Sequence, residues 1–232
     1  MKKIISLLLA GMMLATLLTG CGSDQSGDNA GSGQAGSGAA GTSTSTPSTD
    51  GNKGDYTYQT SSSNPVVTIG DIDKSLFSGS ILLTSIGQSA DISMLDAMFK
   101  KIGADYDFDS LIAAEDVAAY DVVILSSGMS SKGLGAAGIS MEDEMARAEA
   151  IKKTCEENGI TVILAHMGGS ARRGANSDEF NQLGLDIASY VMVVEEGNTD
   201  NLFTDAATEK GIPITLLNSI SNAMTPLTDL FG

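Results

Sequence analysis

Asp121-Val-Val-Ile-Leu-Ser-Ser-Gly-Met-Ser-Ser-Lys-Gly-Leu-Gly-Ala-Ala-Gly-Ile139 runs from four consecutive apolar side chains into Ser, Gly and Ala broken by one lysine. An apolar run that does not alternate with polar residues reads as a strand buried on both faces. The abrupt change to small residues reads as a glycine-rich connection to a following helix. The same change recurs along the chain. Ile81–Ser85 breaks at Ile86-Gly87-Gln88-Ser89, Ile160–Ala165 at His166-Met167-Gly168-Gly169, and Tyr190–Val194 at Glu195-Glu196-Gly197-Asn198.

Helical patterns separate these runs. Ser89 is placed to cap a helix that carries Ile92, Leu95, Met98, Phe99 and Ile102 on one face and stops at Gly103. Ser140 is placed to cap a second helix, with Asp143 in the position of a capping box and Gly159 at the end. A short helix from Asn176 or Ser177 to Leu183 and another over 202–210 follow. Tyr106–Phe108 reads as a weak strand and Leu111–Val117 as a short helix. Ile214–Leu217, opened by Pro213, suits a sheet edge. Asn218–Gly232 reads as a polar tail with a few apolar anchors. Strand and helix alternate throughout. The expected fold is therefore a single-domain three-layer α/β/α sandwich, Rossmann- or flavodoxin-like, around a mostly parallel sheet of five to six strands. Right-handed crossovers then bring every post-strand loop to the carboxyl edge of the sheet, where such folds bind ligands.

The start of the chain is different. Lys2 and Lys3 precede an apolar segment from Ile4 to Leu18, the pattern of an export signal too short to span a membrane stably. Residues 22–63 are dominated by Gly, Ser, Thr, Ala and Asp and read as a disordered tether. Residues 64–232 form the expected domain, with 10 Lys and Arg against 25 Asp and Glu, a net charge of −15. That charge argues against nucleic acid as a partner. It also makes any cluster of basic residues informative. Cys155 lies on the apolar stripe of its helix and reads as a buried thiol.

The candidate site collects residues of the post-strand loops. Gly133-Leu-Gly-Ala-Ala-Gly138 fits a G-x-G-x-x-G pattern, but seven residues separate it from the strand and no acid ends the next strand. It reads either as a loop of small residues for close packing or as an amide cradle through Gly133 and Gly135 with Lys132 as a point charge. Arg172 and Arg173 could grip an anion or pair with Asp178 and Glu179. His166, the chain's only histidine, is a candidate general base or a structural hydrogen-bonding residue. Gln88, Ser89, Gly168 and Glu196 complete the expected ligand contacts. No cofactor follows from the pattern, and no metal site is assigned: one histidine without paired cysteines argues against zinc, and oxygen ligation of calcium or magnesium by Glu195 or Glu196 with Asp200 stays open without any EF-hand spacing.

Two resemblances add to this. Leu18-Thr19-Gly20-Cys21 resembles the lipobox of bacterial lipoproteins, which implies cleavage before Cys21, acylation of that cysteine and attachment to a bilayer, with the domain in the cell envelope outside the cytoplasm. Leu83-Thr-Ser-Ile-Gly-Gln-Ser-Ala-Asp91, Ser130-Ser-Lys-Gly-Leu-Gly-Ala-Ala-Gly138, Gly168-Gly-Ser-Ala-Arg-Arg-Gly174 and Val194-Glu-Glu-Gly-Asn198 resemble an uncharacterised bacterial family of exported α/β domains of unknown function. That second resemblance implies a compact α/β domain and brings no activity. Three readings follow. The first is a tethered module that binds a small polar or anionic metabolite. The second is a hydrolase that uses His166 with a loop serine such as Ser127. The third is a non-catalytic interaction lipoprotein.

Overall fold

The computed structural model describes residues 58–232. The expected export signal, Cys21 and the expected tether up to residue 57 lie outside the described residues. The sheet has seven strands: β1 (Val66–Ile69), β2 (Ile81–Ile86), β3 (Asp107–Phe108), β4 (Val122–Ser127), β5 (Thr161–His166), β6 (Tyr190–Val194) and β7 (Ile214–Leu217). Their spatial order is β1-β7-β6-β5-β4-β2-β3, parallel throughout except for β1, which pairs antiparallel with β7. From β3 to β6 this is the strand order of flavodoxin-like sheets, and its direction reverses between β2 and β4.

Helices cover both faces: α1 (Ile92–Ile102), α2 (Ser131–Ala137), α3 (Met141–Asn158), α4 (Ala175–Ile187), α5 (Leu202–Lys210) and α6 (Met224–Phe231). Strand β4 shows why its sequence does not alternate. Val122 and Ile124 pack towards α1 and α6, while Val123 and Leu125 pack towards α3 and α4. Both faces of the strand are therefore apolar, as in any sheet with helices on each side. Leu164, Val191 and Val193 pack against Leu185 of α4 and against Phe203 and Ala207 of α5 in a third cluster.

The helix ends follow the expected chemistry. Ser140 Oγ accepts from the Asp143 amide at 3.0 Å, and the Asp143 carboxylate reaches back to the Ser140 amide, so aspartate completes the capping box of α3. Gly159 ends the helix in the left-handed conformation.

Several expectations are corrected. The sheet has seven strands rather than five or six, because β1 lay in a stretch without a helical or buried-strand pattern. It covers β7, which is therefore not an edge. The 218–232 stretch is more than a polar tail with a few anchors: its Met224, Leu227, Leu230 and Phe231 recur at helical spacing, and α6 packs them against α1. The expected short helix over 111–117 is a 3-10 segment over 114–119. Asp91, not Ser89, stands at the N-cap position of α1. Helix α4 runs on to Ile187 and starts behind Gly174. Residues 58–63 are not a free tether either. The Thr60 amide and hydroxyl both donate to the Glu195 carboxylate, the amide at 3.2 Å from Oε1.

Among the described residues no helix is long and apolar enough to cross a membrane.

Candidate functional site

The reversal between β2 and β4 is where a doubly wound sheet ordinarily opens a crevice. Here the crevice is closed. The two loops continue to pair beyond the strands: the Gly128 amide donates to Ile86 O at 3.1 Å and the Ser130 amide to Gly87 O at 2.8 Å. Gln88 and Met129 form an antiparallel bridge. Gly87 and Gly128 have positive φ angles of 86° and 132°, and a Cβ on Gly87 would stand 2.6 Å from the Gly128 carbonyl oxygen.

A buried ion pair holds this junction from below. Glu144 of α3 is fully buried. Its Oε1 accepts from the Gly87 amide at 2.8 Å, from Gln88 Nε2 at 3.2 Å and from Arg147 Nη2 at 2.8 Å. Arg147 also donates to Ile112 O at 3.2 Å and to Ser85 O. Gln88 is thereby held at a φ of 57°, an uncommon conformation for a residue with a side chain. Its Nε2 is spent on Glu144 and Ser110 O rather than on a ligand.

The open space lies one strand further on. A cleft of about 620 Å³ separates the β4–α2 loop from the β5–α4 loop. Ser130, Ser131 and Lys132 form one wall, and Arg172, Arg173 and Gly174–Ser177 form the other, with Met129 between them. Ser130 caps α2 by accepting from the Gly133 amide at 3.1 Å. Ser177 Oγ accepts from the Met129 amide at 3.0 Å, which joins the walls at their base. Helix α4 has no side chain capping its N-terminus, and its first turn lines the cleft.

The two arginines differ. Arg172 crosses Gly128 and Gly168, each of which would clash with it if it carried a Cβ, and its Nε donates to Ser89 Oγ at 2.9 Å. Ser89 in turn donates to Asp91, whose Oδ2 lies 3.5 Å from Arg172 Nε. Among the described residues Arg172 Nη2 has no hydrogen-bond partner. Arg173 is fully committed. It pairs with Asp178 and Asp200, each at 2.7 Å, donates to Gly197 O, and lies 5.6 Å from the centroid of the Phe203 ring. The Arg173 hydrogen bond holds Asp200 well below the usual carboxylate range, at about 2. Lys132 is exposed and has no ion-pair partner among the described residues.

His166 is buried under this assembly. Its Nδ1 lies 3.2 Å from Asn181 Oδ1 and its Nε2 3.2 Å from Gly169 O. The ring packs on Phe203 with centroids 4.7 Å apart. Burial pushes its pKa down, against the opposing pull of those two hydrogen bonds. Ser127 makes no hydrogen bond to it. The Ser127 hydroxyl donates to the same Asn181 oxygen at 2.8 Å, and both side chains are shut off from solvent.

Of the expected contacts, the structure thus brings Lys132, Arg172 and Arg173 to one cleft. Gln88, Ser89 and Gly168 sit behind it as supports. Glu196 is exposed beside Gly169 and does not line it. Gly133 is needed where α2 packs on the Gln88 carbonyl, Gly138 ends α2 in the left-handed conformation, and a Cβ on Gly135 would meet nothing within 4 Å. Of the G-x-G-x-x-G pattern, Gly133 thus serves packing and Gly138 capping, while Gly135 does neither. Asn176 and the hydroxyl of Ser177 join the site unanticipated, since both had served only as candidate caps. Among the described residues no group of three or more His, Cys, Asp or Glu side chains could hold a metal ion.

No curated protein matches the sequence. Among solved structures, the chain is similar to a psychrotrophic esterase from Pseudoalteromonas sp., at 12% identity over 65% of this chain and 93% of that one, with a TM-score of 0.30. It is similar to a GDSL-like lipase from Bacteroides thetaiotaomicron at 11% identity, over 58% of this chain and 66% of that one, with a TM-score of 0.28. It is also similar to an O-acetylhomoserine sulfhydrylase of Wolinella succinogenes at 12% identity, over 51% of this chain and 34% of that one, again with a TM-score of 0.28. Likenesses this weak transfer no residue role. Residues 78–231 match one family model over most of the folded part, and the chain belongs to that family, the domain of unknown function DUF6305.

Proposed function

We propose that this protein is a binding module, tethered to a membrane through acylated Cys21 on the outer side of the cytoplasmic boundary, that takes a small polar or anionic ligand in the cleft between the β4–α2 and β5–α4 loops. One observation carries this reading. In a chain with 29 Asp and Glu against 13 Lys and Arg, the cleft is lined by Lys132, Arg172 and Arg173 and by no acidic residue. A cationic lining on so acidic a protein reverses the surrounding field locally and favours anions there. The hydrolase alternative is less well supported. It needs a serine hydrogen-bonded to a histidine and open to substrate, whereas Ser127 and His166 both hydrogen-bond Asn181 and are both buried.

The test is a thermal-shift survey of small anionic, neutral and cationic metabolites. A ligand at a hundred times its Kd stabilises the folded state by about 2.7 kcal/mol, which a melting curve reads easily. The expected outcome is a shift with an anionic or neutral polar member that shrinks in Lys132→Gln. A survey in which nothing shifts, or in which the shift is unchanged by that substitution, removes the cleft as the site. The anchoring is tested separately: Cys21→Ala is expected to move the protein from the membrane to the soluble fraction.

A further inference from the structure

The hydrogen-bonding state of the cleft walls says more about the ligand than their charge does. Ser130 and Ser177 are each only 7% exposed. Each uses its oxygen to accept from a backbone amide, Gly133 in one case and Met129 in the other. A hydroxyl that already accepts keeps its proton to donate, and neither proton has an acceptor among the described residues. Lys132 Nζ and Arg172 Nη2 are likewise without acceptors among the described residues. The carboxylates of Asp91 and Asp178 are turned to Arg172 and Arg173 and do not line the cleft. Four side chains therefore offer donors, two from each wall, and no acid is present to receive an ammonium group.

From this arrangement we infer that the cleft recognises the phosphate group of a compact, non-aromatic phosphate ester. This rests on the cleft being the binding site, as proposed above. A phosphate accepts only, and its terminal oxygens diverge tetrahedrally, so one group can take bonds from both walls at once. A carboxylate keeps its acceptor positions in a single plane and reaches one wall more readily than two. A zwitterion would leave its ammonium facing Lys132 with no partner. No aromatic side chain lines the cleft, so it offers no stacking surface to a nucleobase and suits an aliphatic or hydroxylated remainder. The phosphate could belong to a free ester or to a lipid headgroup, since the recognising chemistry is the same.

Calorimetric titration of the full-length Cys21→Ala chain, which carries no acyl anchor, in detergent-free buffer separates these cases, with glycerol 3-phosphate, lactate, serine and glycerol as probes and phosphatidylglycerol vesicles as a second format. The expected result is that glycerol 3-phosphate or the vesicles bind, that lactate, serine and glycerol bind at least tenfold more weakly, and that Lys132→Gln lowers the affinity roughly tenfold, the order of a charge-assisted hydrogen bond. Lys101→Gln, an exposed lysine on α1 outside the cleft, is expected to leave it unchanged. Binding by free ester alone or by vesicles alone assigns the source, and either supports the inference. Lactate or serine binding as tightly as the phosphate, with the same dependence on Lys132, overturns the phosphate assignment while leaving the cleft as a site. Phosphate binding that is indifferent to Lys132→Gln overturns both.

Discussion

Gly87 and Gly128 meet backbone to backbone where the order of the sheet reverses, so that a methyl group on Gly87 would come within 2.6 Å of the Gly128 carbonyl oxygen. Both glycines also hold positive φ angles. The contact closes the crevice that this strand order ordinarily leaves open, and it displaces the accessible cleft to the neighbouring pair of loops. Gly87→Ala is therefore expected to destabilise the domain by about 2 kcal/mol or more, from left-handed strain plus an unavoidable backbone contact. Gly135→Ala, in α2 with open space around it, is expected to stabilise by roughly 0.5–1 kcal/mol. Urea unfolding of the two variants checks the contrast, and two equal effects would count against this account of the loop glycines.

The Glu144–Arg147 pair is the buried brace beneath that junction, with side-chain exposures of 0% and 14%. Glu144→Leu leaves a largely buried guanidinium without its counter-charge and frees the Gly87 amide, so a loss of about 3–5 kcal/mol is expected. The double variant Glu144→Leu/Arg147→Met removes the orphaned charge and is expected to recover more than half of that loss. Chemical denaturation of the single and double variants measures the coupling directly.

Arg173 supports the cleft wall through Asp178 and Asp200, and Asp200 carries the pH signature. Its folded pKa is depressed to about 2. A depressed carboxylate adds stability above its unfolded value, near 3.9, and that stability is lost as the pH falls from there towards 2. Because the Asp200 side chain is 59% exposed, solvent screens the pair and the effect is modest. Melting temperature between pH 4 and 2 is expected to fall less steeply in Asp200→Asn than in the wild type.

The single histidine gives a clean second pH test. Burial lowers the folded pKa of His166 below the free value near 6.5. The unfolded chain then takes up its proton first, so stability is present above that value and is lost as the pH falls below it. Proton NMR of the imidazole is expected to show a ring whose titration in the folded protein lies below the free value near 6.5. A ring titrating normally in the open would reopen the general-base reading.

Much of the architecture was legible from patterning alone. The non-alternating run Val122–Leu125 implied cover on both faces, and α1 with α6 on one side and α3 with α4 on the other provide it. Ser140, Asp143 and Gly159 announced the limits of α3 because capping is local chemistry, decided within a few residues. Strand β1 was hidden because four residues after a low-complexity stretch carry little periodicity, and its partner β7 lies about 150 positions away. Helix α6 was obscured by its own Thr, Pro and Asp and by the Ser and Asn just before it, although its apolar residues keep helical spacing.

The candidate site divides along the same line. By itself the sequence determined which residues reach the carboxyl edge of the sheet, because strand ends, loop composition and crossover handedness are properties of neighbouring residues and chain direction. Only the tertiary structure decided which of those residues are still free. Arg172 and Arg173 are adjacent and chemically identical, yet Arg173 is consumed by Asp200, 27 positions on, while Arg172 leaves a nitrogen open to the cleft. His166 was placed correctly at a strand end and then buried by Phe203 and Asn181. A side chain's availability depends on its partners in space, and those are distributed along the whole chain.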